Sequence, residues 1–266
     1  MLYLVHKPRS PLCEHVDYLW SMRDAPSHAR ERIVPSGTVE LVINLAADEF
    51  RMGAPDAQRY CGALVSGCYR QAFEIDTRSH ASIMGVHFRP GGAVLLGLPP
   101  GVIADTHVEL AALWGSEVSF LRERLCEARD DAGRFAILEH ALCVRMAEPP
   151  RQRQLIAAAL PQLEHPDGSV AAVARELGVS QRHFIQVFTE QVGMTPKRYA
   201  RVRRFQRALT LANRAQPLPW AELAVKVGYF DQAHLCHDWR ELTGLSPADL
   251  IALRETHVKD LHVALS

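Results

Sequence analysis

Long apolar runs are missing from this chain of 266 residues. Nothing approaches the ~18 consecutive apolar residues that a membrane span requires, so no part of the chain is expected to cross a bilayer. The apolar start at residues 1–5 is broken by His6, Lys7 and Pro8 and is too short for a secretory signal. Cysteine is sparse and irregular. Cys13, Cys61, Cys68, Cys126, Cys143 and Cys236 form no C-x-x-C pair, which reads as reduced thiols in a cytoplasmic protein. Motifs of covalent and metal-assisted catalysis are absent too. There is no G-x-S-x-G, no phosphate-binding Gly-rich loop and no H-E-x-x-H, so the sequence does not read as an enzyme.

An excess of charge is also lacking: 30 Lys and Arg face 30 Asp and Glu. That balance hides a division along the chain. Residues 1–150 hold 15 basic against 19 acidic side chains, and residues 151–266 hold 15 against 11, so the two halves are expected to meet different partners. With 48% hydrophobic and 23% charged residues the composition is that of a globular protein, not of a disordered or collagen-like chain. A chain of this length buries a core without metal or disulfide, and suits one or two domains.

Residues 1–107 read as short strands between Gly and Pro turns. Residues 39–45 form the best strand, with others near 81–88, 73–75 and 63–66. Turns are expected at Pro35-Ser36-Gly37, Pro55-Asp56, Pro90-Gly91-Gly92 and Pro99-Pro100-Gly101. Helical spacing takes over with Leu110, Leu113, Trp114, Val118, Leu121 and Leu125, and again with Phe135, Leu138 and Leu142 after a turn at residues 130–133. Residues 148–153, with Pro149 and Pro150, read as a stiff extended linker. From Gln154 onward the period is helical throughout. The expectation is an α+β chain of two domains. Residues 1–150 form a small antiparallel β sandwich or barrel (1–107) followed by helices (108–147), and residues 151–266 form an all-helical part.

The second half repeats itself. Ala174 matches Ala224 and Gly178 matches Gly228; after one inserted residue Gln181 matches Gln232, His183 matches His234, Glu190 matches Glu241, Gly193 matches Gly244 and Pro196 matches Pro247. Each copy reads as helix, Gly turn, helix, over about 169–191 and 220–243. Asp167-Gly168-Ser169 precedes the first helix with Ser169 as its N-cap, Pro217-Leu218-Pro219 precedes the third, and Ser180 and Asp231 cap the second helix of each copy. Those second helices bury Phe184, Val187 and Phe188 and leave a polar outer face, which is the pattern of a helix-turn-helix DNA reader. Between the copies, residues 197–207 carry six basic side chains and no acid, a natural phosphate-contacting run.

At Val227-Gly228-Tyr229-Phe230-Asp231-Gln232-Ala233-His234-Leu235 and Gly244-Leu245-Ser246-Pro247 the chain resembles the AraC/XylS family of bacterial transcription regulators, over about residues 155–253. The resemblance implies two helix-turn-helix modules joined by one long helix and entering successive major grooves about one turn, ~34 Å, apart. It implies base reading by Gln181, Arg182, His183 and Gln186 from the first module and by Gln232, Ala233, His234 and His237 from the second. Ser180, Lys197, Arg198, Arg201, Arg203 and Arg204 are the phosphate contacts expected with it. On that sorting, Arg182→Ala changes sequence preference, and Arg203→Ala weakens binding on every sequence and flattens the salt slope. The family often carries Arg where Gln186 and His237 stand here, so base preference is expected to differ. Asp238 would repel phosphate if it pointed outward.

The first half resembles the small cupin-like sensor domains of the same family, through residues 31–37, 40–45 and 86–92. By that resemblance a small effector binds the β domain and the helices at 108–147 are the candidates for pairing with a second copy. Glu40, Asn44, His87 and Arg89 are the candidates for a polar effector pocket, against the plainer alternative that they satisfy turns and strand ends. His28, His80 and His87 include no His-x-His, so neither a metal nor another cofactor is expected. Cys61 and Cys68 read as buried structural thiols. The function expected is sequence-specific transcription regulation on double-stranded DNA, with RNA polymerase a further partner of such a protein. The alternative is a small-molecule sensor with a weak DNA-binding arm.

Overall fold

The computed structural model describes residues 2–24, 28–53, 58–146, 151–165, 168–214, 219–254 and 262–265. The turn at Pro55-Asp56, the prolines at 149 and 150, Asp167, and Pro217-Leu218 lie outside them. In chain order the strands β1 (Leu2–His6), β2 (Val16–Arg23), β3 (Arg30–Ile33), β4 (Glu40–Asn44), β5 (Glu49–Met52), β6 (Gln58–Cys61), β7 (Ala63–Ser66), β8 (Phe73–Asp76), β9 (Ser82–Phe88) and β10 (His107–Glu109) come first. Helices α1 (Ala111–Trp114), α2 (Glu117–Glu127), α3 (Asp131–Cys143), α4 (Arg151–Glu164), α5 (Val170–Glu176), α6 (Gln181–Val192), α7 (Pro196–Ala212), α8 (Trp220–Val227), α9 (Gln232–Thr243) and α10 (Pro247–Arg254) follow, then strand β11 (His262–Leu265).

The strands make two antiparallel sheets, ordered β1-β2-β9-β4-β7-β10 and β11-β3-β8-β5-β6. Alternation along each strand divides the side chains between two cores. Trp20, Met22, Leu64 and Ile83 of the first sheet meet Ile33, Phe50, Met52 and Ile75 of the second. Their neighbours Leu19, Leu41, Ile43, Val65, Met84 and Val86 point the other way, into a core shared with Leu121, Leu125, Phe135, Leu138 and Leu142. The apolar stripes of α2 and α3 are therefore covered by their own β domain. The same core runs on through Ile156, Ala159 and Leu163 of α4 into the helical half.

Two sequence expectations change. Residues 151–153 are helical, the first turn of α4, and this turn is anchored on the β domain where Arg153 donates to the Glu14 carbonyl at 2.6 Å. Residues 151–266 are also not wholly helical: β11 pairs antiparallel with β3, His262 opposite Ile33 and Leu265 opposite Arg30, adding a strand from the second half to the first half's sheet.

Candidate nucleic-acid interface

Each module closes on a glycine in the left-handed region, Gly178 at φ +69° and Gly228 at φ +88°. In both, the backbone N–H after the glycine donates to the small residue of the preceding helix: Val179 to Ala174 at 3.0 Å and Tyr229 to Ala224 at 2.9 Å. The caps are then made by side chains. Ser180 Oγ accepts from the His183 N–H at 3.2 Å, and Asp231 Oδ1 from the His234 N–H at 2.7 Å. Ser169 precedes α5 in extended conformation without such a bond. Phe184, Phe188, Leu235 and Trp239 are buried beneath the two second helices. Edge-to-face rings tie them to α7, Phe188 to Tyr199 at 5.5 Å and Trp239 to Phe205 at 5.6 Å.

What these helices leave outside is polar. Gln181, Arg182, His183 and Gln186 are exposed on α6, as are Gln232, Ala233, His234 and His237 on α9. Arg182 has no ion-pair partner among the described residues. Gln186 donates to Glu190 at 3.0 Å along its own helix. His234 lies 3.9 Å from Asp238 and His237 lies 3.8 Å from Glu241, each acid one turn further along α9 and beyond hydrogen-bond reach.

The basic run of α7 is largely engaged inside the protein. Lys197 and the cap Ser180 are exposed, and Arg198 sits 3.8 Å from Glu241. Arg201 donates to Asp238 at 2.8 Å and to both oxygens of Glu241 at 2.7 and 2.5 Å. Asp238 is buried beneath this contact and does not face outward. Arg203 pairs with Glu164 at 2.9 Å, and Arg207 donates to the Glu164 carbonyl. Arg204 donates to the Gly228 carbonyl at 3.0 Å with its guanidinium over the Tyr229 ring. These arginines brace α7 against α4, α8 and α9, and a phosphate would have to compete with carboxylates already in place.

Both second helices rest on the β domain by their C-terminal ends. Arg32 of β3, held by Glu74 at 2.7 Å, donates to the Thr243 carbonyl at 3.2 Å, and the Ala72 N–H donates to the Leu242 carbonyl at 2.8 Å. At the other module Gly101 is pressed so close to α6 that a Cβ there would sit 2.8 Å from the Thr189 carbonyl oxygen. Gln206 of α7 donates to the Pro35 carbonyl. Nothing in the sequence spacing marks Arg32, Ala72 or Gly101 for this duty, because it depends on how the two halves meet.

Of the four candidates for an effector pocket, Glu40 and His87 meet, opposite each other on β4 and β9 with Glu40 Oε1 3.8 Å from His87 Nδ1, while Asn44 stands apart. Glu40 accepts from the Trp20 indole at 2.9 Å and faces the interior between the sheets, a space of about 40 Å³ that Glu31, Phe73, His80, His107 and His262 also line. His87 and Arg89 instead line a cleft of about 470 Å³ between the β domain and helices α4 and α7. There Arg89 meets Asp17 at 3.2 Å, and His87 meets Thr38 at 3.1 Å. Asn44 is fully buried, ties the backbone of residues 46, 47, 49 and 79 together, and so serves a turn. Burial among Tyr60, Tyr69 and Phe73 pushes the His107 imidazole down to about 4, so it is neutral near pH 7. Cys68 is buried, with its thiol pushed up by burial; Cys61 is exposed, contrary to the sequence expectation, with its thiol pushed up by the Glu109 carboxylate. Neither has the lowered value of a reactive thiol. Among the described residues no three His, Cys, Asp or Glu side chains converge as metal ligands.

Two stretches of the chain match known families. Residues 152–252 match the family model described as a helix-turn-helix domain. Residues 4–109 match a second family model, a domain of unknown function designated DUF6597. An uncharacterized HTH-type transcriptional regulator of Haemophilus influenzae is 29% identical over 119 residues, 42% of this chain and 40% of that protein. The alignment thus spans about two fifths of the curated relative it matches. Among solved structures, ToxT from Vibrio cholerae bound to an unsaturated fatty acid has a TM-score of 0.49 at 8% identity, covering 97% of this chain and 98% of its own. The C-terminal domain of AraT, a response regulator from Geobacillus stearothermophilus, has a TM-score of 0.36 at 21% identity, covering 41% of this chain and 89% of its own.

Proposed function

We propose that the protein regulates transcription by binding double-stranded DNA in a sequence-specific way, with α6 and α9 in successive major grooves of one duplex face. The observation that carries this is the pair of capped helices whose outer faces are polar and exposed while their inner faces share α7 as a buried strut. On this reading Arg182 and Gln181 with His183 and Gln186 read bases from α6, and Gln232, His234 and His237 from α9. Lys197 and Ser180 with the partly exposed Arg198 hold phosphates, and Arg201, Arg203 and Arg204 chiefly fix the distance between the modules. Such a protein works in the bacterial cytoplasm, where the DNA is, and RNA polymerase is the partner that regulation requires.

The β domain is the regulatory half of this proposal. Because it holds the C-terminal ends of both α6 and α9, a small effector that shifts β3 or the loop at Gly101 changes their relative placement. The space between the sheets is lined by β3, β8 and His262 of β11, so an occupant there bears directly on the contact at Thr243. One chain carries both reading helices. A second copy would dock on what α2 and α3 leave exposed, Phe120 foremost. The rival reading, a sensor with a weak DNA arm, draws on the acids that stand near His234 and His237. Selection of duplexes from a random pool by the full chain, followed by salt titration, separates the two. A regulator enriches one bipartite site and binds it at least about a thousandfold tighter than random duplex, whereas a weak arm shows no such ratio.

A further inference from the structure

The two modules differ by one residue, and the structure identifies it. The turn bonds from Val179 to Ala174 and from Tyr229 to Ala224 are equivalent at an offset of 50, while the caps Ser180 and Asp231 are equivalent at an offset of 51. Phe230 therefore has no counterpart in the first module. It stands immediately before the cap of α9, where an apolar residue ordinarily folds back onto the fourth helical residue. Here that residue, Leu235, is already buried in the core, and Phe230 is 88% exposed. It is the most exposed large apolar side chain among the described residues.

The ring stands at the free end of α9. The opposite end, at Leu242 and Thr243, is held on the β domain, so Phe230, exposed like Gln232 and Ala233, sits at the end that leads into the groove. Beside it Ala233 carries only a methyl group, and the readers Gln232, His234 and His237 reach base edges through hydrogen bonds. Phe230 and Ala233 set an apolar pair at the leading end beside those polar readers, and an apolar pair suits apolar readout. In the major groove the only apolar group on a base edge is the C5 methyl of thymine.

We infer that Phe230 is a specificity-determining residue that packs its ring on a thymine methyl in the half-site of the second module. This rests on the DNA-binding reading above. The test removes the methyl from the DNA and the ring from the protein separately. A duplex selected by the full chain is resynthesised with each thymine in turn replaced by deoxyuridine, which keeps every hydrogen bond. It is then bound by the wild-type chain and by Phe230→Ala, whose exposed position leaves the fold intact, as a melting curve verifies. One deoxyuridine position is expected to weaken wild-type binding about fourfold, the equivalent of about 0.8 kcal/mol for one methyl-sized group removed from an apolar contact. The same replacement leaves Phe230→Ala unchanged, because the variant already lacks that contact. The inference is overturned if no deoxyuridine weakens wild-type binding, or if the loss persists in Phe230→Ala. It is equally overturned if Phe230→Ala binds the selected duplex normally but fails to regulate transcription, which makes the ring a protein-docking group. Failure of the full chain to enrich any duplex overturns the DNA-binding reading itself, and this contact with it.

Discussion

Arg201→Met is expected to destabilise the helical half while leaving the DNA-facing surface untouched. In the native chain the Arg201 guanidinium donates to Asp238 at 2.8 Å and to Glu241 at 2.7 Å, joining the strut α7 to the second reading helix α9. The Asp238 side chain is only 5% exposed, whereas Glu241 is 36% exposed. Removing the cation leaves a carboxylate buried without its partner, a change that costs about 3–5 kcal/mol. Glu241 stays hydrated, so the cost falls on Asp238 alone and belongs at the lower end, about 3 kcal/mol. A second change, Asp238→Asn in the same chain, removes the stranded charge and recovers part of the loss. The pH dependence follows. Arg201 holds the Glu241 carboxyl below its ordinary value of 4.5. A depressed carboxylate contributes stability that is present above that value and lost as pH falls below it. Arg201→Met therefore flattens the acid limb of the stability profile. Urea unfolding followed by circular dichroism measures the first effect, and DNA titration at several salt concentrations measures what remains of binding. An unchanged unfolding midpoint together with a salt slope reduced by about one would refute the reasoning, because it would make Arg201 a phosphate contact.

Other expectations follow from the same structure. Lys197→Ala should weaken binding on all sequences and lower the salt slope by about one, whereas Arg182→Ala should change which bases are preferred at one position; matching behaviour in a binding-selection assay would dismiss this sorting. Gly101→Ala, whose Cβ would press on the α6 backbone, should reduce affinity for a two-groove site more than for an isolated first half-site, as band-shift titration on the two duplexes would reveal. The His107 imidazole sits near 4 in the folded chain against 6.5 when free. Because the unfolded chain binds the proton first, stability falls as pH drops from 6.5 toward 4, and the chain should be about 2 kcal/mol less stable at pH 5 than at pH 8 from this group. His107→Phe, which suits the surrounding rings, should remove that part of the pH dependence in denaturant melts.

The helical half was legible because its signals are local. Gly178 and Gly228 mark turns, Ser180 and Asp231 make the caps the sequence assigned them, and Gly193 and Gly244 end α6 and α9 in the left-handed region. The repeat in register revealed two modules before any contact was known. In the β half, β4, β7 and β9 stood out through their apolar residues and β8 through the alternation of Phe73 and Ile75 with Glu74 and Asp76. β2 and β3 did not, because polar and charged residues such as Asp17, Ser21, Arg30 and Glu31 interrupt their pattern. β11 was invisible for a different reason. Its pairing with β3 joins residues more than two hundred positions apart, which no local period encodes. The same holds for the roles of Arg201, Arg203 and Arg204. Sequence shows a basic run, and only packing reveals Asp238, Glu241, Glu164 and the Gly228 carbonyl as its partners. Glu40 and His87 likewise meet at 3.8 Å only through the register of β4 against β9.

The central claim is that two exposed helices on one rigid strut read one duplex together. Selection of bound DNA from a random pool by the full chain tests it most directly. The account predicts a single bipartite site, with its two halves centred about 10–10.5 base pairs apart and with insertion of about five base pairs abolishing binding. Enrichment of one half-site alone, binding indifferent to the spacing, or no enrichment at all would contradict it.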